Sequence, residues 1–225
     1  MIDALRKITS PSVANAIETF KVRPRQQGNV SSEIRCLFPD MGPMVGYAVP
    51  CLIRAEQEPV KDHRASTYGW WDYVLSIPSP RVIVVHDLDD PRGQGAQWGE
   101  VQANIHRALG CVGVLTDGSV RDLDEVRALG FQFAAAHVSV SHAWVHMVDF
   151  GIPVKVGGLW IKPGDLVHAD QHGAVTVPKE IADKIPEAVT KIEADEREII
   201  SLCQAPGFTA DKLKALYQKI RPGTY

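Results

Sequence analysis

The sequence predicts a single α/β domain built on a largely parallel sheet. Three observations carry that prediction. Between residues 81 and 135, apolar runs of strand length alternate with stretches of helical period. Strands that alternate with helices imply parallel neighbours joined by crossovers. From 151 to 178 the pattern changes to short strands separated by turns containing Gly. The 225 residues, 45% hydrophobic and 23% charged, suffice for one sizeable core. The domain is expected to occupy residues 1–203, with 204–225 as an extension that packs on it or on a neighbouring subunit.

The first helix is expected over 9–20. Thr9 or Ser10 would cap it, Pro11 suits its first turn, and Val13, Ile17 and Phe20 share one face. VRPRQQGN (22–29) reads as a polar loop in which Arg23 and Arg25 are either solvated or near an anionic ligand. Residues 45–55 suit a strand or strand pair interrupted by Pro50, and 67–75 a helix whose Trp70, Trp71 and Val74 face the core or a subunit contact. RVIVVH (81–86) is a buried strand. The loop that follows, DLDDPRGQGAQW (87–98), is long enough to be functional or mobile. Its Gly93, Gly95 and Gly99 have GxGxxxG rather than dinucleotide-binding spacing, and the unit does not begin the fold.

Val101, Ile105 and Ala108 mark one face of the next helix, which Gly110 stops. Val112, Val114 and Leu115 form a strand, Asp117-Gly118 a turn, and Asp122 the cap of a helix with Leu123, Val126 and Leu129 inward. Phe131 to Ala135 is a further strand. His137, His142 and His146 are unevenly spaced, without an HExxH arrangement, and suit a loop with incidental histidines better than a zinc site. Asp165 and Asp170 lie beside tight turns and suit structural roles. The last long helix carries Ile181, Ile185, Val189, Ile192 and Ile199, with Pro186 as a kink or break, and a short helix is expected over Asp211 to Ile220.

Composition narrows the partners. A net charge of −3 gives no electrostatic case for nucleic acid. The first residues lack an apolar leader, and no run approaches ~18 apolar residues, so a cytoplasmic protein without a membrane partner is expected. Cys36, Cys51, Cys111 and Cys203 show no CxxC pairing and are expected as reduced thiols.

The functional signal lies in 98–122, WGEVQANIHRALGCVGVLTDGSVRD. The predicted topology sets Gly99-Glu100 after the carboxyl end of one strand and Arg121-Asp122 after that of its neighbour. Open α/β sheets bind ligands at this edge, where helix N-termini offer free N–H groups to an anion. Two carboxylates and a guanidinium there suit a hard divalent cation that holds an anionic substrate. The plain alternative is a helix cap at Asp122 and a surface ion pair from Arg121 to Glu100 or Asp124.

Glu100, a gap of twenty residues and Arg121-Asp122 resemble the signature of the class II pyruvate aldolases acting on 4-hydroxy-4-methyl-2-oxoglutarate. The regulators of ribonuclease E activity share it in part, and both belong to the RraA-like family. WGE, GCVGVLTDGSVRD and VGGLWIKPGDLVHADQHGAVTVP also look like that family. Glu100 departs from the Asp usual in the aldolases, but the regulator branch typically has no acid there; Asn15 stands where the family often has an acid. The resemblance implies a swivelling β/β/α-type domain with a C-terminal helix, assembled as a homotrimer or homohexamer with sites between subunits. It implies cleavage of a 4-hydroxy-2-oxo acid to pyruvate, with oxaloacetate decarboxylation as a side activity. Mg²⁺ or Mn²⁺ would be held by Asp122 directly and by Glu100 through water. The 2-oxo acid would be bound by Arg121 and by the helix start at Gly99, Glu100, Val101 and Gln102. The alternatives are a non-catalytic regulator of ribonuclease activity, or a different metal-dependent lyase or decarboxylase on the same site.

Overall fold

The structure is a computed structural model that describes residues 1–60 and 64–220. Its helices are α1 (Ile2–Leu5), α2 (Ser10–Phe20), α3 (Thr67–Ser76), α4 (Glu100–Ala108), α5 (Leu123–Leu129), α6 (Ile185–Gln204) and α7 (Ala210–Ile220). Its strands are β1 (Arg35–Cys36), β2 (Met44–Arg54), β3 (Arg81–Asp87), β4 (Ala96–Trp98), β5 (Cys111–Val120), β6 (Gln132–Val138), β7 (His146–Phe150), β8 (Val154–Val156), β9 (Leu159–Ile161), β10 (Leu166–Asp170) and β11 (Gly173–Val177). The main sheet runs β1-β6-β5-β3-β2-β10-β11, with β4 on β5 and β7 on β2, while β8 and β9 form a separate hairpin.

The parallel centre is β2-β3-β5-β6, as the alternating pattern predicts. The sheet curls into a nearly closed barrel. Gly28 and Val30 hydrogen-bond to β11, while Arg35 and Cys36 pair with β6, so one short stretch spans both ends of the strand order. Both faces of the sheet are covered. Val82, Val84, Leu115, Ala134 and Val167 meet Val154, Val156 and Ile161 of the β8–β9 hairpin on one face. Ile83, Val85, Val114 and Phe133 meet Trp70, Ala103 and Val126 of α3, α4 and α5 on the other. Helices α1, α2 and α6 form a third cluster against Val45, Leu166 and Val177. Each such aliphatic side chain contributes about 1.5–3 kcal/mol on burial.

Four local expectations are corrected. Pro50 does not interrupt β2. Its carbonyl accepts from the Gly151 N–H just after β7, and it lies between the part of β2 that pairs with β10, up to Tyr47, and the part that pairs with β7, from Cys51, so no ladder bond needs the missing N–H. Asp117-Gly118 is not a turn but the buried interior of β5, where pairing passes from β3 to β4. The loop 87–98 ends in the short strand β4. Pro186 lies in the first turn of α6 and starts that helix rather than kinking it.

Elsewhere α2 is capped by Thr9 as expected, with Val13 and Ile17 buried. Asp165 accepts from the Lys162 N–H at its turn, and Asp170 accepts from the N–H groups of Ser10 and His172. Arg23 donates to Thr176, and Arg25 pairs with Glu18. Helix α7 folds back on α6, where Lys219 meets Glu198 at 3.2 Å. The four cysteines are free thiols. Among the described residues, no helix is long and apolar enough to cross a membrane.

Candidate functional site

Strands β4 and β5 run parallel and end side by side, with Trp98 in register with Val120. The two turns that leave them therefore meet. Arg121 donates its N–H to the Trp98 carbonyl at 3.0 Å, and Asp122 Oδ2 accepts from the Glu100 N–H at 2.9 Å. The two pieces of the sequence signature thus touch across the sheet edge.

Asp122 does not cap its own helix. It sits in the left-handed region (φ 54°, ψ 50°), and its side chain makes no capping bond to α5. Its carboxylate instead reaches the start of α4, where Gly99 is the N-cap without a side chain of its own. A Cβ at Gly99 would lie 2.2 Å from Asp122 Oδ2 and 2.9 Å from Arg121 Cγ. Gly99 is thus required by close approach, since its φ of −141° is open to any residue.

Arg121 Nε is 3.6 Å from Asp122 Oδ2, and both side chains are about one-third exposed. The expected alternative pairings of Arg121 with Glu100 or Asp124 are not formed. Glu100 and Val101 are exposed on the first turn of α4, and Gln102 is half-buried. Asp122 Oδ1 accepts no hydrogen bond among the described residues and is open for a further partner. No group of three or more His, Cys, Asp or Glu side chains is gathered to hold a metal among those residues. A cation here would have one direct carboxylate and otherwise water, which fits Mg²⁺ or Mn²⁺ and not a closed zinc cage.

Sequence reasoning missed what holds this edge in place. Beneath the loop from β3 to β4 lie Asp87, Asp89 and Asp117, all buried. Asp117 accepts from His86 Nδ1 at 2.7 Å and from the Asp87 N–H at 2.9 Å, with Arg92 Nε at 3.5 Å. Asp87 accepts from the N–H groups of Asp89 (3.0 Å) and Gly93 (2.8 Å). Burial pushes the Asp87 carboxyl above its ordinary value against these bonds. Asp89 Oδ2 accepts from the N–H groups of Ala55 and Glu56, and Ser119 donates to the Gly93 carbonyl. The DLDDPRG string with a nearby TDG was the available signal, but a turn reading hid it.

The three histidines do not converge. The His137 ring lies against Gly93, His142 Nδ1 donates to the Ala143 carbonyl, and His146 Nδ1 donates to that of Trp144.

Residues 10–176 match the family model described as RraA-like, Aldolase/RraA. The chain belongs to the RraA-like family. An uncharacterized protein of Methanocaldococcus jannaschii is 28% identical over 59% of this chain and 66% of its own length. A Halalkalibacterium halodurans protein provisionally named 4-hydroxy-4-methyl-2-oxoglutarate aldolase is 27% identical over 44% of this chain and 47% of its own. The chain thus spans between about half and two-thirds of these relatives. Among solved structures, an uncharacterized Pseudomonas syringae protein superposes with a TM-score of 0.73 at 23% identity, covering 96% of this chain and 93% of that one. Streptomyces coelicolor RraAS2, described as an unusual member of the RNase ES inhibitor RraA family, gives 0.65 at 23%, covering 89% and 94%. At these identities the structural likenesses establish the fold.

Proposed function

We propose that this RraA-like protein is a divalent-metal-dependent lyase that cleaves a 4-hydroxy-2-oxo acid to pyruvate and decarboxylates oxaloacetate as a side reaction. The observation that carries the reading is the contact between the two halves of the signature: Asp122 clamps the N-terminus of α4 while Arg121 stands beside it. A regulator needs no such alignment of one free carboxylate oxygen, one guanidinium and a helix start.

Asp122 would hold the cation through Oδ1, and the Glu100 carboxylate would order its waters. Mg²⁺ or Mn²⁺, when bound, supplies positive charge opposite the oxygen on which negative charge develops as the carbon–carbon bond breaks. Arg121 would orient the substrate carboxylate with its planar fork. The first-turn N–H groups of Val101 and Gln102, which have no partner within α4, would complete the anion site. The Glu100 N–H is already given to Asp122, so it positions the carboxylate rather than the substrate. The chemistry requires no Schiff-base lysine.

The test is pyruvate release from 4-hydroxy-4-methyl-2-oxoglutarate and from oxaloacetate, with Mg²⁺ and with a chelator. Turnover that requires the metal and disappears in Asp122→Asn supports the lyase. Absence of turnover on both substrates, with a correctly folded protein, would leave the regulator reading standing.

A further inference from the structure

Helices α3, α4 and α5 each follow a parallel strand, so their N-termini stand in a row along one edge of the sheet. The cleft between α4 and α5 is the Arg121–Asp122 site. The neighbouring cleft, between α3 and α4, contains a cavity of about 200 Å³. It is lined by Arg64, Thr67, Trp70, Trp71, Gln97 and Gln102, with His146 and Met147 of β7 at its side.

Three features of this cavity point to a ligand. First, the side chains of Arg64, Thr67, Gln97 and Gln102 make no hydrogen bond or ion pair among the described residues, although they converge on one recess. Second, its charge is one-sided: a guanidinium lines it, and no acid does among the described residues. The start of α3 adds to this. Ser66 Oγ accepts from the Gly69 N–H, which leaves the N–H groups of Thr67 and Tyr68 without an intrahelical partner. Third, two indoles form its apolar wall, and Trp70 is held rigidly because its Nε1 donates to His106 Nε2 at 2.8 Å. An aromatic wall with several unpaired donors suits a flat anion. The volume lies below the ~300 Å³ at which ordinary ligand pockets begin, so the molecule must be small.

We propose that the α3–α4 cavity is a second anion site, which binds a small planar carboxylate independently of the Arg121–Asp122 cleft. Arg64 supplies the charge and fork, Gln97 and Gln102 supply neutral donors, and Trp70 and Trp71 flank the flat body of the ligand. This assignment does not depend on the lyase reading, because it concerns binding alone.

Calorimetric titration with benzoate and with pyruvate tests it, with benzamide as the neutral counterpart of benzoate. At least one of the two carboxylates should bind saturably to the wild type and to Arg121→Ala alike. Arg64→Gln and Gln97→Leu should each weaken that binding, the first by about tenfold or more, as expected for loss of a charge-assisted contact. Benzamide should bind at least about tenfold more weakly than benzoate. Arg64 is exposed, so its variant is expected to fold, and circular dichroism of both variants verifies this. Absence of saturable binding by either carboxylate overturns the proposal. So does binding unchanged in Arg64→Gln, or binding lost in Arg121→Ala, which would assign the anion to the neighbouring cleft.

Discussion

The carboxylate of Asp122 has two oxygens in different circumstances. Oδ2 is committed to the Glu100 N–H, and Oδ1 has no partner among the described residues, so the residue can fix the α4 start and still offer a ligand. Arg121 beside it is one-third exposed, which allows its fork to reach a substrate. A clamp of this kind separates from a plain ion pair on substitution. Arg121→Lys keeps the charge and loses the fork; kcat is expected to fall by roughly 10²–10³ with KM raised, if the guanidinium stabilises charge in the transition state. An ion pair with so much solvent would change only stability, by at most ~1 kcal/mol. Steady-state kinetics alongside thermal melts distinguish the two. Gly99→Ala tests the other side of the contact. The added methyl would displace the Asp122 carboxylate, so activity should drop on the order of 10²-fold with a melting temperature only slightly lowered. Unchanged activity in that variant would show that the close approach has no catalytic meaning.

Among the elements, α2, α3, α5 and the four short strands after 151 were legible because their signals are local: a cap, a period or a Gly stop. Helix α4 stands where expected but buries Ala103 and His106 rather than the expected face of Val101, Ile105 and Ala108. The Glu100 and Arg121-Asp122 pairing was legible from topology, since parallel neighbours must end at the same edge. What was hidden depends on tertiary pairing. Asp117-Gly118 has turn composition, but β4 supplies a partner for the far half of β5 and keeps the strand extended. Strand β7 and the two-residue β1 likewise exist only through the strands they join. The direction of the Asp122 side chain could not be read either, because its left-handed backbone turns it from its own helix to the preceding one, α4. The loop from β3 to β4 offers a sharp test of how it is held. Both oxygens of Asp87 accept backbone N–H groups, whereas Asp89 uses only Oδ2, and its Oδ1 is buried without a partner among the described residues. Asn provides one acceptor. Asp87→Asn should therefore strand a buried N–H at a cost of about 1–3 kcal/mol, and Asp89→Asn should cost distinctly less. Denaturant unfolding of the two variants measures the order, and the reverse order would refute this account of the loop.

At the scale of the whole molecule, two buried histidines join parts of the fold that are distant in sequence. His168 donates from Nε2 toward the carbonyls of Leu5 and Ile8, and its Nδ1 meets Ser10 Oγ at 2.9 Å, which ties the N-terminal helices to β10. His106 links α4 to α3 by accepting from Trp70 Nε1 while its Nδ1 donates to the Gln102 carbonyl. Burial holds both rings below the ordinary imidazole value, and brings His106 down to about 4 from 6.5. In the folded protein the His106 ring therefore stays neutral through a range in which the unfolded chain takes up a proton. The stability it supports is complete above pH 6.5 and declines as pH falls toward 4, by up to about 1.4 kcal/mol per pH unit for one proton. His168 acts in the same direction. His106→Gln keeps an acceptor for Trp70 but cannot titrate. It should be less stable than the wild type near pH 7.5, by about 1–3 kcal/mol for a poorer hydrogen-bond geometry. Its loss of stability between pH 6.5 and 4.5 should be shallower, so that the two curves converge on acidification. Urea unfolding at several pH values measures both curves. Parallel curves would mean that His106 does not remain neutral in the fold, and that the acid sensitivity of the molecule arises elsewhere.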